Sequence, residues 1–477
     1  MSWEAVIGIE IHVQLRTATK MFCPCAVPGE GDAPNARTCP TCLGLPGALP
    51  VANRAAVEKV LAVGAAIGAT SPQTTRWDRK NYFYPDLPKG YQISQLDLPL
   101  AEHGQIAVTT SGGPRTVRIR RAHLEEDTAR LRHERRADGA RASLVDYNRS
   151  GIALLEIVTE PDIRDAETAR RYAEELRLLL RTIGAADAEM ENGQMRVEAN
   201  VSLRPSSDAP FGVRVEVKNM NSFRSVERAI AFEIGRQADL LDAGERVVQE
   251  TRGWDEASES TYTMRAKEDS HDYRYFPEPD LPPLDIDARW LGAIVAGLPE
   301  LPAARRMRYI ETLGLTEYDA SVLVAEPRAA SLFESARDAL SGLDPKLLAN
   351  WVTGEYLRAA NDGAGDPDPK EFAALVDAVA RREISGTTAK ELFAEMCAAP
   401  LNVRETIVQR GLGQISDTAA LEKIVAEVIA ANPHAVADWK AGKQQAVGFL
   451  VGQAMKASKG RGDAALIGEL IRSALDR

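Results

Sequence analysis

The strongest constraint on this chain is a period of two that recurs in well-separated stretches. In "VIGIEIHVQL", Ile7, Ile9, Ile11, Val13 and Leu15 share one parity, and Gly8, Glu10, His12 and Gln14 share the other. "QMRVEANVSLRP" sets Met195, Val197, Ala199, Val201 and Leu203 against Arg196, Glu198, Asn200, Ser202 and Arg204. "VRVEVKNM" does the same, with Val213, Val215 and Val217 opposite Arg214, Glu216 and Lys218. Successive side chains of a strand point to opposite faces, so these segments predict an antiparallel sheet with one buried and one open face. "DAETARRYAEELRLLLRTIGA" has helical periodicity and ends at Gly184, which supplies a cover for the apolar side. An α+β domain over residues 1–290 is the expectation.

After "YFPEPDLPPLDID" the texture becomes rich in Ala, Leu and Glu, broken by Gly and Pro. It predicts two small all-α domains, a linker domain over 291–405 and a tail domain over 406–477. In the tail, "SDTAALEKIVAEVIAANP" is expected to be capped near Asp417 and stopped at Pro433. "VGFLVGQAMKASKGRGDAALIGELIRSAL" reads as two helices around a basic, Gly-containing turn.

The net charge of −11 argues against a nucleic-acid binder that uses its whole surface. From His434 onward, however, seven Lys/Arg stand against four Asp/Glu, a balance of +3 on a body of −14. One confined polyanion contact fits that distribution, as does ordinary variation in composition. No apolar run is long enough to span a bilayer, and the start carries an acid where a signal peptide carries basic charge, so a cytoplasmic protein is expected.

Four of the five cysteines lie in "CPCAVPGEGDAPNARTCPTC": Cys23, Cys25, Cys39 and Cys42. In a cytosolic chain, two close pairs closing a Pro/Gly-rich loop over residues 22–43 suggest tetrahedral Zn2+, with reduced thiols as the alternative. Four thiolates leave no open position, so this metal would be structural. Cys397 reads as a packing residue.

No P-loop, G-x-G-x-x-G, G-x-S-x-G or H-E-x-x-H motif is present, and no Gly/Ser-rich amidase stretch. Acids do recur beside basic residues. Glu10 and His12 share a strand face, "RAHLEEDTARL" adds His123, Glu125, Glu126 and Asp127, and "QETRGWD" adds Glu250 and Asp255. Carboxylates on an open sheet face suit Mg2+, and nearby Lys80, Lys89, Arg265 and Arg274 would complete a phosphoryl-transfer site. Solvated acidic faces give the same pattern.

"IGIEIHVQL", "CPTCLGLPGALPVAN", "RKNYFYPDLPKGYQISQ", "HLEEDTARL", "VDYNRSG", "LLEIVTEPDI", "EVKNMNSFRSVERAI", "DYRYFPEPDLPPL" and "FLVGQAMKASKGRG" closely resemble the B subunit of tRNA-dependent Asp/Glu amidotransferases. The resemblance runs through almost the whole chain in order. It implies ATP-dependent phosphorylation of the side-chain carboxylate of Glu-tRNA(Gln) or Asp-tRNA(Asn). Ammonia from a partner glutaminase, the A subunit, then completes the amide, and a small C subunit fastens the assembly. It also implies a catalytic domain of glutamine synthetase/guanidino-kinase type.

Position by position, the resemblance makes Glu10, His12, Glu125 and Glu250 the expected Mg2+ ligands and places Lys80 and Lys89 in the active centre or ammonia path. Arg149 and Arg274 become phosphate or 3′-end contacts, with structural ion pairs as the alternative, and Arg265, from its place among the basic residues, is counted with them as a cofactor contact. Lys456, Lys459 and Arg461 become tRNA-backbone contacts, and the four cysteines match the zinc-bearing members. Ala153 stands where a Pro is usual and Glu198 where an acid of Asp length is common. Two rivals remain: a ligase acting on free amino acids, and a non-catalytic zinc-bearing tRNA adaptor.

Overall fold

The computed structural model describes residues 3–29, 31–266, 273–414, 418–440, 443–458 and 461–476. It divides into two compact units, Met1–Leu301 and Pro302–Arg477. Strands of the first unit are β1 (Glu4–Gln14), β2 (Thr74–Thr75), β3 (Asp78–Asn81), β4 (Tyr91–Ser94), β5 (Ala101–Thr110), β6 (Gly113–Glu126), β7 (Arg130–Arg135) and β8 (Arg141–Asp146). They continue with β9 (Ala153–Thr159), β10 (Met195–Arg204), β11 (Val215–Met220), β12 (Glu250–Asp255), β13 (Ser260–Ala266), β14 (Phe276–Pro277) and β15 (Leu284–Asp285).

Eight strands form one sheet in the order β13-β12-β11-β10-β1-β9-β6-β5. Its neighbours are antiparallel except for β11 and β12. In β1 the parity rule holds from Ile7 on: Ile7, Ile9, Ile11 and Val13 are at most 1% exposed, while Glu10, His12 and Gln14 are partly exposed; Val6, of the other parity, is also buried. A buried Ile in such a position contributes enough that Ile11→Ala is expected to cost about 2–5 kcal/mol.

The apolar face is closed by α1 (Arg54–Ala66), α2 (Ala166–Thr182) and α3 (Phe223–Asp242). α2 is the helix predicted from the sequence. The Asp165 carboxylate accepts from the Thr168 N–H at its start, and Ala169, Tyr172, Ala173, Leu176 and Leu180 are buried at helical spacing. Gly184 then takes φ +67°, a conformation glycine adopts without a Cβ clash. A short helix, α4 (Ala288–Ala296), follows with Asp287 as its cap.

One sequence boundary shifts. The strand expected from Val213 starts at Val215, and Val213 is 46% exposed. The preceding Gly212 passes so close to β10 that a Cβ there would lie 2.1 Å from the Leu203 carbonyl oxygen, which bends the chain before pairing begins.

Three smaller sheets are formed among the described residues, one of them the β2–β15 pair. β14, β3 and β4 form a three-stranded sheet, and β7 and β8 pair only with each other.

The second unit is helical among the described residues. Its terminal helices Thr418–Ala431, Gln445–Ala457 and Ala464–Leu475 share a core of Leu421, Val425, Leu450, Ala454, Ile467 and Ile471. The first of these ends at Ala431, before Pro433 as the sequence predicts, and the proline opens a further helix, Pro433–Lys440. The expected cap Asp417 lies outside the described residues. No described helix is long and apolar enough to cross a membrane.

Candidate functional site

Strand register brings one set of side chains together on the open face. Opposite His12 on β1 stand Arg196 of β10 and Glu156 of β9, and opposite Glu156 stands His123 of β6. Glu10 faces Glu198 across the β1–β10 pair. The hub is Glu156: its carboxylate lies 3.4 Å from His12 Nε2, 3.4 Å from His123 Nε2 and 3.8 Å from Arg121. Glu10 Oε1 is 3.7 Å from His12 Nε2, and Glu125 Oε1 is 3.7 Å from His123 Nε2.

Negative charge is crowded here, and the titrations follow. Burial, then Glu156, raises the Glu10 carboxyl to about 7. Burial works against a charged His12, yet its bond to Glu156 and the other carboxylates raise it to about 9. His123 is raised for the same reasons. Glu156 is held well below its ordinary value against the cost of its burial, chiefly by His123 and His12. Burial also opposes the charge of Glu125, but Lys80 foremost lowers it to about 2.

A second ring of donors fixes Glu125 and Glu126. Ser94 Oγ donates to Glu125 Oε1 (2.7 Å) and Gln92 Nε2 to Glu125 Oε2 (3.0 Å). Lys80 Nζ, on β3, sits 3.7 Å from Glu125. Lys89 is ion-paired with Glu126, which also accepts from the Ile93 N–H. The two lysines expected in the active centre thus reach two adjacent carboxylates at the end of β6.

The ligand atoms of Glu10, His12 and Glu156 lie within 4.8 Å of one another, as do those of His123, Glu125 and Glu156. A divalent cation fits this donor set: it would replace the imidazolium protons that now balance the carboxylates. The buried Nδ1 atoms of His12 and His123 have no hydrogen-bond partner among the described residues.

Next to Glu10 opens a cavity of about 400 Å³ lined by Gly8, Arg121, Asn200, Phe211 and Arg214 among others. A Cβ on Gly8 would meet nothing within 4 Å, so glycine there leaves the cavity floor clear.

The four sulfurs of Cys23, Cys25, Cys39 and Cys42 lie within 4.8 Å of one another. Tetrahedral zinc with Zn–S near 2.3 Å needs sulfurs about 3.8 Å apart, so the cluster fits such an ion. Cys42 is already the acidic member: the Cys23 thiol hydrogen-bonded to it lowers it to about 4, with Lys20 assisting. The bond to Cys42 raises Cys23, and burial foremost raises Cys25 to about 11. The loop also braces the turn after β8. Asn35 bonds to Asp146, Val145 and Tyr147, Asn148 to Ala33, and Ser150 to the Cys42 carbonyl.

Other expected site residues are placed elsewhere. Glu250 is on β12, three strands from β1, and pairs with Arg252 (2.7 Å) and Arg236 of α3 (3.9 Å). Arg149 donates to the Thr128 and Ala129 carbonyls (2.9 and 2.8 Å) and lies 3.7 Å from Asp127, clamping the turn after β6. Arg274 is exposed at φ +46°, its carbonyl accepting from Asn81. The backbone of Arg265 pairs with Thr251, but its side chain lies outside what is described. In the second unit Lys456 is exposed, Arg461 donates to the Gly411 carbonyl, and Lys459 lies outside the described residues.

Sequence reasoning missed Glu156, Arg121 and Lys218, the last bonded to Glu198 at 2.7 Å. A signal for Glu156 existed: it is the lone charge in the apolar run "ALLEIVT", and such a carboxylate must be buried and paired.

Residues 5–292 match the family model described as the GatB/GatE catalytic domain, and residues 331–475 match one described as the GatB domain. The chain is 46% identical to the aspartyl/glutamyl-tRNA(Asn/Gln) amidotransferase B subunit of Carboxydothermus hydrogenoformans over 99% of both chains. It is 48% identical to the protein of that name from Moorella thermoacetica over 100% of both, and 45% identical to that of Picosynechococcus over 99% of this chain and 98% of the other.

Proposed function

The chain belongs to the family of aspartyl/glutamyl-tRNA amidotransferase B subunits, and on that premise we propose that it activates a tRNA-borne side-chain carboxylate with ATP for amidation. The observation that carries this reading is the Glu156 hub, where Glu10, His12, His123 and Glu125 converge on the open face beside a cavity with Arg121 and Arg214. The antiparallel sheet with a charged open face suits the glutamine synthetase/guanidino-kinase architecture.

A carboxylate does not exchange oxygen for ammonia directly, because oxide is a very poor leaving group. Attack of a carboxylate oxygen of Glu-tRNA(Gln) or Asp-tRNA(Asn) on the γ-phosphorus breaks the bond to ADP and forms an acyl phosphate. Ammonia then adds to the carbonyl carbon and inorganic phosphate leaves. Glu10, His12, Glu156 and Glu125 would hold Mg2+, which when bound neutralises phosphate oxygens. Lys80 and Arg121 flank that position and supply further positive charge. The Lys89–Glu126 pair, at the end of the same strand, is suited to handling ammonia on its way in. Ammonia would come from a partner glutaminase (the A subunit), with a C subunit fastening the assembly in the cytoplasm.

Zn2+ in the four-cysteine loop would be structural, bracing residues 145–151. Division of the helical unit into a linker (291–405) and a tRNA-binding tail (406–477) using Lys456, Lys459 and Arg461 completes the reading.

The test is ATP hydrolysis by the chain assembled with its A and C partners, with and without misacylated tRNA. ADP release that requires Glu-tRNA(Gln) or Asp-tRNA(Asn) is the expected result. Equal turnover on free glutamate would make the protein a free-amino-acid ligase. No turnover in an assembly that still binds tRNA would make it an adaptor.

A further inference from the structure

The β7–β8 hairpin contributes little to the core. Its strands pair only with each other and most of its residues are exposed, and a lone two-stranded ribbon is marginal in water. Five arginines, Arg130, Arg132, Arg135, Arg136 and Arg141, fall within it against three acids, Glu134, Asp138 and Asp146, the last opposite Arg130. Among the described residues only Arg132 has an acidic partner, Glu134 at 4.0 Å. Arg135 stands directly opposite Arg141, and like charges in a cross-strand pair are destabilising. On a chain of net charge −11, this concentration of unpaired guanidinium groups is matched to an external polyanion.

The hairpin springs from the end of β6, four residues past Glu126, and is tied to the loop between β3 and β4. The Ala129 N–H donates to the Asp86 carbonyl (2.9 Å), and the Tyr147 hydroxyl donates to the Pro85 carbonyl (3.2 Å). That loop holds up two aromatic rings: Phe83 is 82% exposed and Tyr84 59%. Lys80 and Lys89 bracket it, both with amines directed to the carboxylates at the end of β6. Exposed rings beside a basic surface are what unpaired nucleobases stack on.

Resting on the proposed tRNA-dependent function, we propose that the β7–β8 hairpin and the Phe83–Tyr84 rings form one docking surface for the acceptor end of the tRNA. Arginines of the hairpin hold phosphates of the duplex, and the rings take the unpaired 3′ bases, so the terminal ester arrives between Lys80 and Lys89. The two parts make different contacts and leave different signatures.

The experiment measures binding of a tRNA(Gln) transcript, and of the same transcript lacking its unpaired 3′ nucleotides, to the assembled complex over a range of salt. Replacing Arg130, Arg135, Arg136 and Arg141 by Ala should weaken binding of both RNAs at least about tenfold and flatten the salt slope by about two to four. Phe83→Ala with Tyr84→Ala should weaken the intact transcript at least about fivefold, leave the truncated one unchanged and keep the slope. Removing Arg171 and Arg181 from α2, on the covered side of the sheet, should alter neither. Hairpin and aromatic variants that bind like the unaltered complex overturn the inference while leaving the proposed function standing. Failure of the complex to assemble, with tRNA affinity retained, overturns it in favour of a protein-docking hairpin. An unaltered complex with no tRNA affinity overturns the functional reading and this inference with it.

Discussion

Two carboxylate clusters lie on opposite faces of the same sheet and are neutralised in different ways. Beneath α3, Glu233 is fully buried and accepts from Arg236 (2.6 and 2.9 Å) and Gln237 (2.9 Å), while Glu250 pairs with Arg252 and Arg236. Permanently charged guanidinium groups balance each acid there, and Glu250 is lowered in pKa, against its burial, by Thr263 and the two arginines. On the open face, imidazoles stand among the carboxylates, and Glu10 is raised instead, to about 7. One cluster is finished by its own side chains. The other joins its carboxylates to two imidazoles, whose protons a cation can replace, with Arg121 and Lys80 at its edge, the condition of a site suited to a cation. Acid content alone therefore says little, and the identity of the counter-charges separates a structural cluster from a functional one.

The sharpest way to break this contrast is to neutralise each hub. Glu156→Gln should lower amidation of misacylated tRNA by about 10³-fold or more, since charge stabilisation at the phosphoryl group is lost. Its melting temperature should fall modestly, because the carboxylate that holds His12, His123 and Arg121 loses its charge while the imidazoles can release their protons. Glu233→Ala should do the reverse, costing about 3–5 kcal/mol in denaturant titration by removing the buried acceptor of Arg236 and Gln237, while the folded fraction stays active.

The cavity beside Glu10 sharpens the contrast from the packing side. Gly8→Val points into open space, so stability should be unchanged within about 0.5 kcal/mol, and the KM for ATP should rise about tenfold as the floor fills. Stripping metal from the four-cysteine loop with a chelator should expose residues 22–50 to protease and raise the KM for tRNA through residues 145–151, with little change in ATP affinity.

The smallest effect expected is on pH. A folded pKa below the unfolded value means Glu250 adds stability above the ordinary carboxylate range and loses it as pH falls through its folded value. Glu250→Gln should therefore flatten the acid limb of stability against pH and leave activity near neutral pH within about twofold.

Much of this architecture is local and was legible in the sequence. Parity placed Glu10 and His12 on a wet face, α2 and its glycine stop followed from helical spacing, and two close cysteine pairs announced the thiol cluster. What was not legible depends on which strands become neighbours. Parity says that Glu250 and Glu10 each face one side of a strand, but not that β12 and β1 are separated by β11 and β10. Glu156 was hidden for the same reason, since its meaning comes from β9 lying between β1 and β6. Arg149 looked like an anion contact because a guanidinium donates equally well to a phosphate or to backbone carbonyls, and only the fold of the 127–129 turn decides. Residue type proposed the chemistry, and register assembled it.

The most direct measurement is Mn2+ binding followed by electron paramagnetic resonance on the unaltered protein, Glu156→Gln and Glu250→Gln. A cation held at the open-face hub predicts a bound Mn2+ that Glu156→Gln loses and Glu250→Gln keeps. Binding that survives Glu156→Gln, or that disappears with Glu250→Gln, would contradict the account.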